Sequence, residues 1–288
     1  MWFLYALISA FSLTGRNIFS KFNVDKTNEY VVMWATVVFA FPIAALAMLF
    51  SPFVVTDARF WPLLFIRIIL DTVAFIFFYK ALKFRAASYV IPIMSLFPAL
   101  TIVTSFLING QRVGTLGIIG VLITCGGSYA LFAAERRTTK IEDRPHLKLA
   151  TVYILITTII YGILDPVHAY IIGMSNTYTY FFISEAIFVL LFTGLVWLFA
   201  KRDFMQLFKS KKKLVHNGIT GLFLGVEVLV LFLALSSAPF VSYVSAIKMS
   251  SVGLTAVFAY LFLKEQLNRT KITAIVMIIV GVVVMVLG

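Results

Sequence analysis

Charge is scarce in this chain. Asp, Glu, Lys and Arg together make up 12% of its 288 residues, against about 25% in a soluble domain. Hydrophobic residues reach 61% and Phe alone occurs 29 times. So little polar surface cannot cover a fold in water, so lipid is the expected solvent. Acidic residues are rarer than basic ones, 12 against 24, giving a formal charge of +12. Most of that excess lies in short loops between apolar segments, the pattern of orientation charge in a membrane protein. No continuous basic face appears, which argues against a nucleic-acid partner. One cysteine, Cys125, excludes an intramolecular disulfide. HExxH, GxSxG, P-loop and Cys/His metal patterns are missing, so neither an enzyme, nor ATP-driven transport, nor a cofactor is expected. The start, Met1-Trp2-Phe3-Leu4, lacks the basic n-region of a signal peptide.

What the sequence does hold is apolar length. About 20 apolar residues cross the hydrocarbon core, and ten such segments follow one another: 2–22, 30–50, 60–82, 86–108, 115–133, 149–172, 178–200, 216–237, 240–263 and 270–287. Their continuity predicts helices and not barrel strands. The polar stretch 135–148 divides them into five and five. The break 201–215, with Lys211-Lys212-Lys213, reads as a solvated loop facing headgroups.

The two halves resemble each other. A shift of 154 positions lays Ser88-Tyr89-Val90 on Ser242-Tyr243-Val244, Leu100-Thr101 on Leu254-Thr255 and Gly127 on Gly281. Five segments per half is an odd number, so the second half must enter the membrane inverted. Loop charge agrees: Lys80, Lys83 and Arg85 follow span three, while no base follows span eight. Arg59 alone lies in the loop after span two, whereas six Lys and Arg follow span seven. Loops after odd-numbered spans therefore face the cytoplasm and both termini lie outside. The expected fold is an all-α integral membrane protein of ten transmembrane helices: two inverted five-helix repeats, 1–134 and 149–288, joined by a cytoplasmic linker, 135–148.

These features resemble the drug/metabolite transporter superfamily, in particular its EamA-like members. Leu263-Lys264-Glu265-Gln266-Leu267 is similar to that family's glycine-glutamate-hydrophobic turn, with Lys264 in the glycine's place; Gly110 keeps the glycine in the first half. Gly281, Gly120 and Gly127 match its late-helix glycines, Ala81-Leu82 the pair closing span three, and Pro98 a recurrent proline. Gln111 stands where the pattern has glutamate, and Val252 where it has proline. The resemblance implies a transporter with an EamA-like domain in each half. Family members are often described with cytoplasmic termini; the charge count here says the opposite.

Ionised side chains in a span are costly and normally line a cavity in pairs. With Lys21, Lys80 and Lys271 set aside at segment ends, seven charges remain inside the segments: Arg16, Arg67, Asp71, Asp165, Glu185, Glu227 and Lys248, with His168 beside them. Arg67 and Asp71 stand at i,i+4 and can bridge. Asp165 and His168 stand at i,i+3 beside Pro166, whose missing N–H frees a backbone carbonyl for a cavity; they are the candidates for proton coupling. A Glu227–Lys248 bridge is open, Glu185 has no local partner, and Arg16 is near enough to a span end to snorkel. Arg67, Asp71, Glu185, Glu227 and Lys248 are the candidate substrate-binding set. Tyr89, Tyr161 and Tyr243 are further candidates for lining the pathway. The pair Gly221 and Gly225 reads as close helix packing. Spans five and ten carry no interior charge and are expected to face lipid or a second copy.

The function expected is a secondary transporter of a small polar or charged organic solute, such as an amino acid or related metabolite, in the plasma (inner) membrane. Two alternatives stand beside it. One is a phosphorylated-metabolite or lipid-linked-sugar translocator holding phosphate with Arg67 and Lys248. The other is a non-transporting scaffold or sensor whose charges all cancel.

Overall fold

A computed structural model describes residues 1–85, 87–94, 96–138, 144–263 and 269–287. Among them the fold is helical, with one isolated antiparallel bridge, Val55 to Ser175, and no sheet. The helices are α1 (Trp2–Val24), α2 (Glu29–Ala47), α3 (Phe60–Phe84), α4 (Ala87–Met94), α5 (Phe97–Asn109), α6 (Thr115–Thr138) and α7 (Arg144–Ile172). They continue with α8 (Thr177–Phe199), α9 (Lys201–Leu207), α10 (Lys211–Ser237), α11 (Val241–Lys248), α12 (Ser251–Leu263) and α13 (Arg269–Leu287). Among the described residues, five stretches are long and apolar enough to cross a membrane: Glu29–Phe50, Phe60–Phe84, Lys148–Ile172, Thr177–Phe199 and Lys211–Ser237. Phe97–Asn109, Thr115–Ala130 and Ile272–Val284 are shorter apolar helices. Helix α1 matches the long ones in length, but its inner face is polar: Ser9, Ser12, Thr14, Arg16, Asn17, Ser20 and Asn23 are buried.

Two expected continuous spans are broken. The segment 86–108 becomes α4 and α5, and 240–263 becomes α11 and α12. The half-helices have 8 and 13 residues in both cases, and each boundary recurs 154 positions later. Pro98, at the start of α5, fits a helix beginning there, because the first turn needs no N–H from it. In the second segment Met249 and Ser250 form a turn, with the Met249 and Ser250 amides held by carbonyls of the preceding turn.

The loop expected at 201–215 is mostly helix. α9 forms over Lys201–Leu207, burying Leu207, and Phe204 meets Trp34 edge-on at 4.7 Å between ring centres. The three lysines start α10 instead of a loop; Ser210 caps it by accepting from the Lys213 amide at 3.4 Å. The polar stretch 135–148 is drawn largely into the ends of α6 and α7, and 139–143 lie outside the described residues.

Packing is intimate where side chains are smallest. α6 lies against α13, α1 against α10, α3 against α7, and α2 between α10 and α8. A Cβ on Gly281 would meet the backbone nitrogen of Thr124 at 2.6 Å, and one on Gly127 the carbonyl oxygen of Ala274 at 2.8 Å. The backbones of α6 and α13 therefore touch. Gly221 and Gly225 do the same for α10 on α2, against Phe39, Thr36 and Ala40, as their spacing predicts. Gly110 closes α5 at φ 67°, a left-handed position that glycine adopts without a Cβ clash. Its counterpart Lys264 lies outside the described residues.

Loops 51–59 and 173–177 are knitted together at one end of the bundle. The Thr56 amide donates to Met174 O at 2.9 Å and Asn176 Nδ2 to Pro52 O at 2.9 Å. Beside them Asp57 accepts from Arg59, and this guanidinium holds the carboxyl below its usual range. A depression of about 920 Å³ opens at this end, lined by Thr56, Asn109, Gln111, Asn176 and Ser236 among others. At the opposite end, Asp25, Lys26, Lys83, Asp203 and Lys213 surround a smaller one of about 360 Å³.

A candidate solute cavity

All seven charges of the apolar segments line one internal cavity of about 80 Å³, with His168 and Tyr161. That is room for several waters. Its walls come from α1, α2, α3, α4, α5, α7, α8, α10 and α11; among the described residues none of α6 or α13 reaches it. Apolar lining comes from Phe75, Phe97, Phe188, Phe192 and Phe232, with Leu, Val and Met between them.

Six of the seven charges form three pairs. Arg67 Nη2 lies 3.0 Å from Asp71 Oδ2 on the same face of α3, as the i,i+4 spacing predicts. Its guanidinium is flanked by the rings of Tyr180 and Phe188, at 5.4 and 5.1 Å, and its Nε and Nη1 find no hydrogen-bond partner among the described residues. Lys248 Nζ lies 3.5 Å from Asp165 Oδ1, while Ser245 donates to Asp165 Oδ2 at 2.6 Å. Arg16 Nε lies 3.0 Å from Glu227 Oε2. The last contact is close but off the hydrogen-bond axis, since both atoms count as unpartnered donor and acceptor. Coulomb attraction between two buried ions holds at that distance all the same.

Position accounts for Lys248. It is the last residue of α11, where the negative end of the helix dipole favours a cation. Phe97, the first residue of α5, places its ring 5.2 Å from the ammonium. The two broken segments thus meet at this residue. Met94, the counterpart in the first half, also lines the cavity without a charge.

Several pairings differ from those expected. Arg16 does not snorkel: it is 6% exposed and points into the cavity. Glu227 takes Arg16, not Lys248. Asp165 and His168 do not pair; His168 Nδ1 shares a hydrogen with Tyr180 OH at 2.6 Å. The carbonyl freed by Pro166 is that of Gly162, and it faces α5 instead of the cavity, accepting from Thr104 Oγ1 at 2.5 Å. Asn109 Nδ2 donates to Pro166 O at 3.2 Å. Tyr161 lines the cavity, whereas Tyr243 packs against Gly117 of α6; the side chain of Tyr89 lies outside the described residues. Tyr180 and Ser245 fix cavity groups and gave no sequence signal, being ordinary polar residues inside apolar runs.

Glu185 is the charge left over. It is 3% exposed, lines the cavity, and its Oε2 has no hydrogen-bond partner among the described residues. Gln111, the departure from the glycine-glutamate turn, retains a structural role: its Oε1 accepts from the Val241 amide at 3.0 Å, capping α11 from the other half of the chain.

Helices of membrane-crossing length around a small, charge-lined cavity define a multi-pass membrane protein with a polar interior. The sequence matches the family model described as the EamA-like transporter family over residues 1–133 and again over 148–287. The chain belongs to that family, whose members move small solutes across membranes. A solved crystal structure, described only as that of a protein, superposes with a TM-score of 0.80 over 99% of this chain and 96% of its own. At 13% identity this likeness shows a shared fold. No curated protein matches by sequence.

Proposed function

We propose that the protein is a secondary carrier that moves a small polar or charged organic solute, such as an amino acid or related metabolite, by alternating access. The observation that carries this reading is the convergence of all seven intramembrane charges, from both halves of the chain, on one cavity. A scaffold needs those charges to cancel, and Glu185 is left uncancelled. A phosphate translocator needs free cations, and Arg67 and Lys248 are each held by a carboxylate. Arg67 nevertheless keeps two unpartnered donors, Nε and Nη1, for an acceptor on the solute.

Ten crossings in two inverted halves, 1–134 and 149–288 around the linker 135–148, are the scaffold of this reading. Two facts support it: half-helices of equal length recur 154 residues apart, and the α1–α10 and α3–α7 contacts exchange when the halves are exchanged. The membrane of this reading is the plasma (inner) membrane, and the loop charges favour both termini outside. The outer faces of α6 and α13, with Leu122 and Ile279 exposed, are left for lipid or a second copy; light scattering of the purified protein reads which.

Counterflow in proteoliposomes across amino acids, amines and organic anions tests the carrier. Accumulation of at least one charged or zwitterionic compound is expected. Uptake confined to neutral apolar compounds refutes the reading.

A further inference from the structure

We propose that Glu185 is an exchange site that binds either the ammonium group of the solute or a proton, one displacing the other. The inference rests on the carrier reading and names the chemistry of its site. It begins from a count. The cavity holds three cations, Arg16, Arg67 and Lys248, and four carboxylates, Asp71, Asp165, Glu185 and Glu227. Three ion pairs use every cation and three carboxylates. One negative charge remains, and it falls to Glu185, the cavity carboxylate that no ion pair among the described residues includes and whose Oε2 has no hydrogen-bond partner there. A buried carboxylate with no counter-charge costs several kcal/mol, so the site takes up positive charge from outside whenever the cavity is wetted.

The surroundings select what that charge is. Towards Glu185 the cavity presents Arg67 and Asp71 of α3, already bridged, and Arg16 and Glu227 of α1 and α10, also bridged. Asp165 and His168 of α7 and Lys248 of α11 complete the ring, with the phenols of Tyr161 and Tyr180. Each of these cations is committed to another carboxylate, and His168 to Tyr180. A bare metal ion needs several oxygen ligands, and among the described residues no cluster of three acidic, His or Cys groups converges. Aromatic rings do: Phe188 and Phe192 stand one and two turns along α8 from Glu185 and line the same cavity. Aromatic lining on the same helix as a lone carboxylate suits an organic ammonium, which gains an ion pair and can add cation–π attraction. A proton neutralises the same carboxylate by forming its O–H bond. Loading the ammonium breaks that bond and releases the proton to water, so charge balances in both states.

The test is proton release on binding, followed with a pH dye in weakly buffered detergent solution of the full chain. The probes are primary and quaternary ammonium ions, from ethylammonium to benzyltrimethylammonium, with isosteric alcohols and carboxylates as comparisons. Wild type is expected to bind ammonium probes and release about one proton per probe bound. Glu185→Gln is expected to release none and to bind at least tenfold more weakly, while Glu185→Asp keeps the release at reduced affinity. Binding without release, equal release from Glu185→Gln, or preference for the alcohols or carboxylates overturns the proposal. If Glu185→Gln is not monodisperse, wild type and Glu185→Asp still decide. Counterflow of the same panel separates the two readings: transport of anions or neutral polar solutes alone sinks the exchange site and spares the carrier. Ammonium-driven proton release without transport of any compound spares the site and sinks the carrier.

Discussion

Arg16 and Glu227 bear most heavily on what single residues do here. Both are buried, and each is the other's only ion-pair partner among the described residues. Truncating Arg16 to Met leaves Glu227 as an uncompensated buried charge, a change that typically costs about 3–5 kcal/mol. Thermal unfolding in detergent is expected to show that loss for Arg16→Met and to show most of it recovered when Glu227→Gln is added. Recovery is the informative arm, because it reports an unpaired charge and not lost packing. Legibility divides at this scale too. A charge inside an apolar run stands out, so all seven were visible in the sequence. Their partners were not, except where one turn of helix joins them, as in Arg67 and Asp71. Arg16 and Glu227 lie at opposite ends of the chain, and only the fold brings α1 against α10. Asp165 and His168 show the reverse error: adjacency along a helix suggested a pair, and each found a better partner across helices.

At the scale of elements, α7 crosses its own proline without leaving the freed carbonyl unpaired. Pro166 removes the bond to Gly162 O, and Thr104 of α5 supplies another. Gly162 permits the approach, since a Cβ there would meet Leu100 Cβ at 2.7 Å. Thr104→Val keeps the shape and leaves that carbonyl unpaired. The expected cost is about 1–3 kcal/mol, read as a lowered unfolding midpoint, with little change in solute affinity because Thr104 does not line the cavity. The breaks at α4/α5 and α11/α12 were not legible from hydropathy, because the apolar runs continue through them. Pro98 was a usable local signal for the first break. The second has no proline, with Val252 in its place, so the repeat offset was the only route to it. The first turns of α10 misled differently: three lysines read as loop, yet their stems continue a helix that Ser210 starts.

For the whole molecule, alternating access requires the two ends of the bundle to open in turn. Val55 and Ser175, from different halves, pair across one end, at a spacing typical of residues a disulfide can join. In a background with Cys125 replaced, Val55→Cys with Ser175→Cys is expected to cross-link on oxidation and to stop counterflow, with reductant restoring it. Cross-linked protein that transports at the unlinked rate rules out opening at this end. The outline of the molecule was the most legible part, because segment length and loop charge are properties of contiguous sequence. The geometry of the cavity was the least legible, because it is assembled from nine helices.

One difference between the halves has a consequence for direction. Lys248 closes α11, and Met94 closes α4 at the corresponding place. A carrier of the proposed kind switches sides by having its halves trade shapes, and two identical halves would make the trade energetically even. Here one hinge is tethered by an ammonium to Asp165 and the other is greased by a thioether. In such a carrier this one-sided tether makes the two empty states unequal in energy, and the expected outcome is half-cycles of unequal speed that Lys248→Met brings closer together, read as the ratio of influx to efflux rates in proteoliposomes.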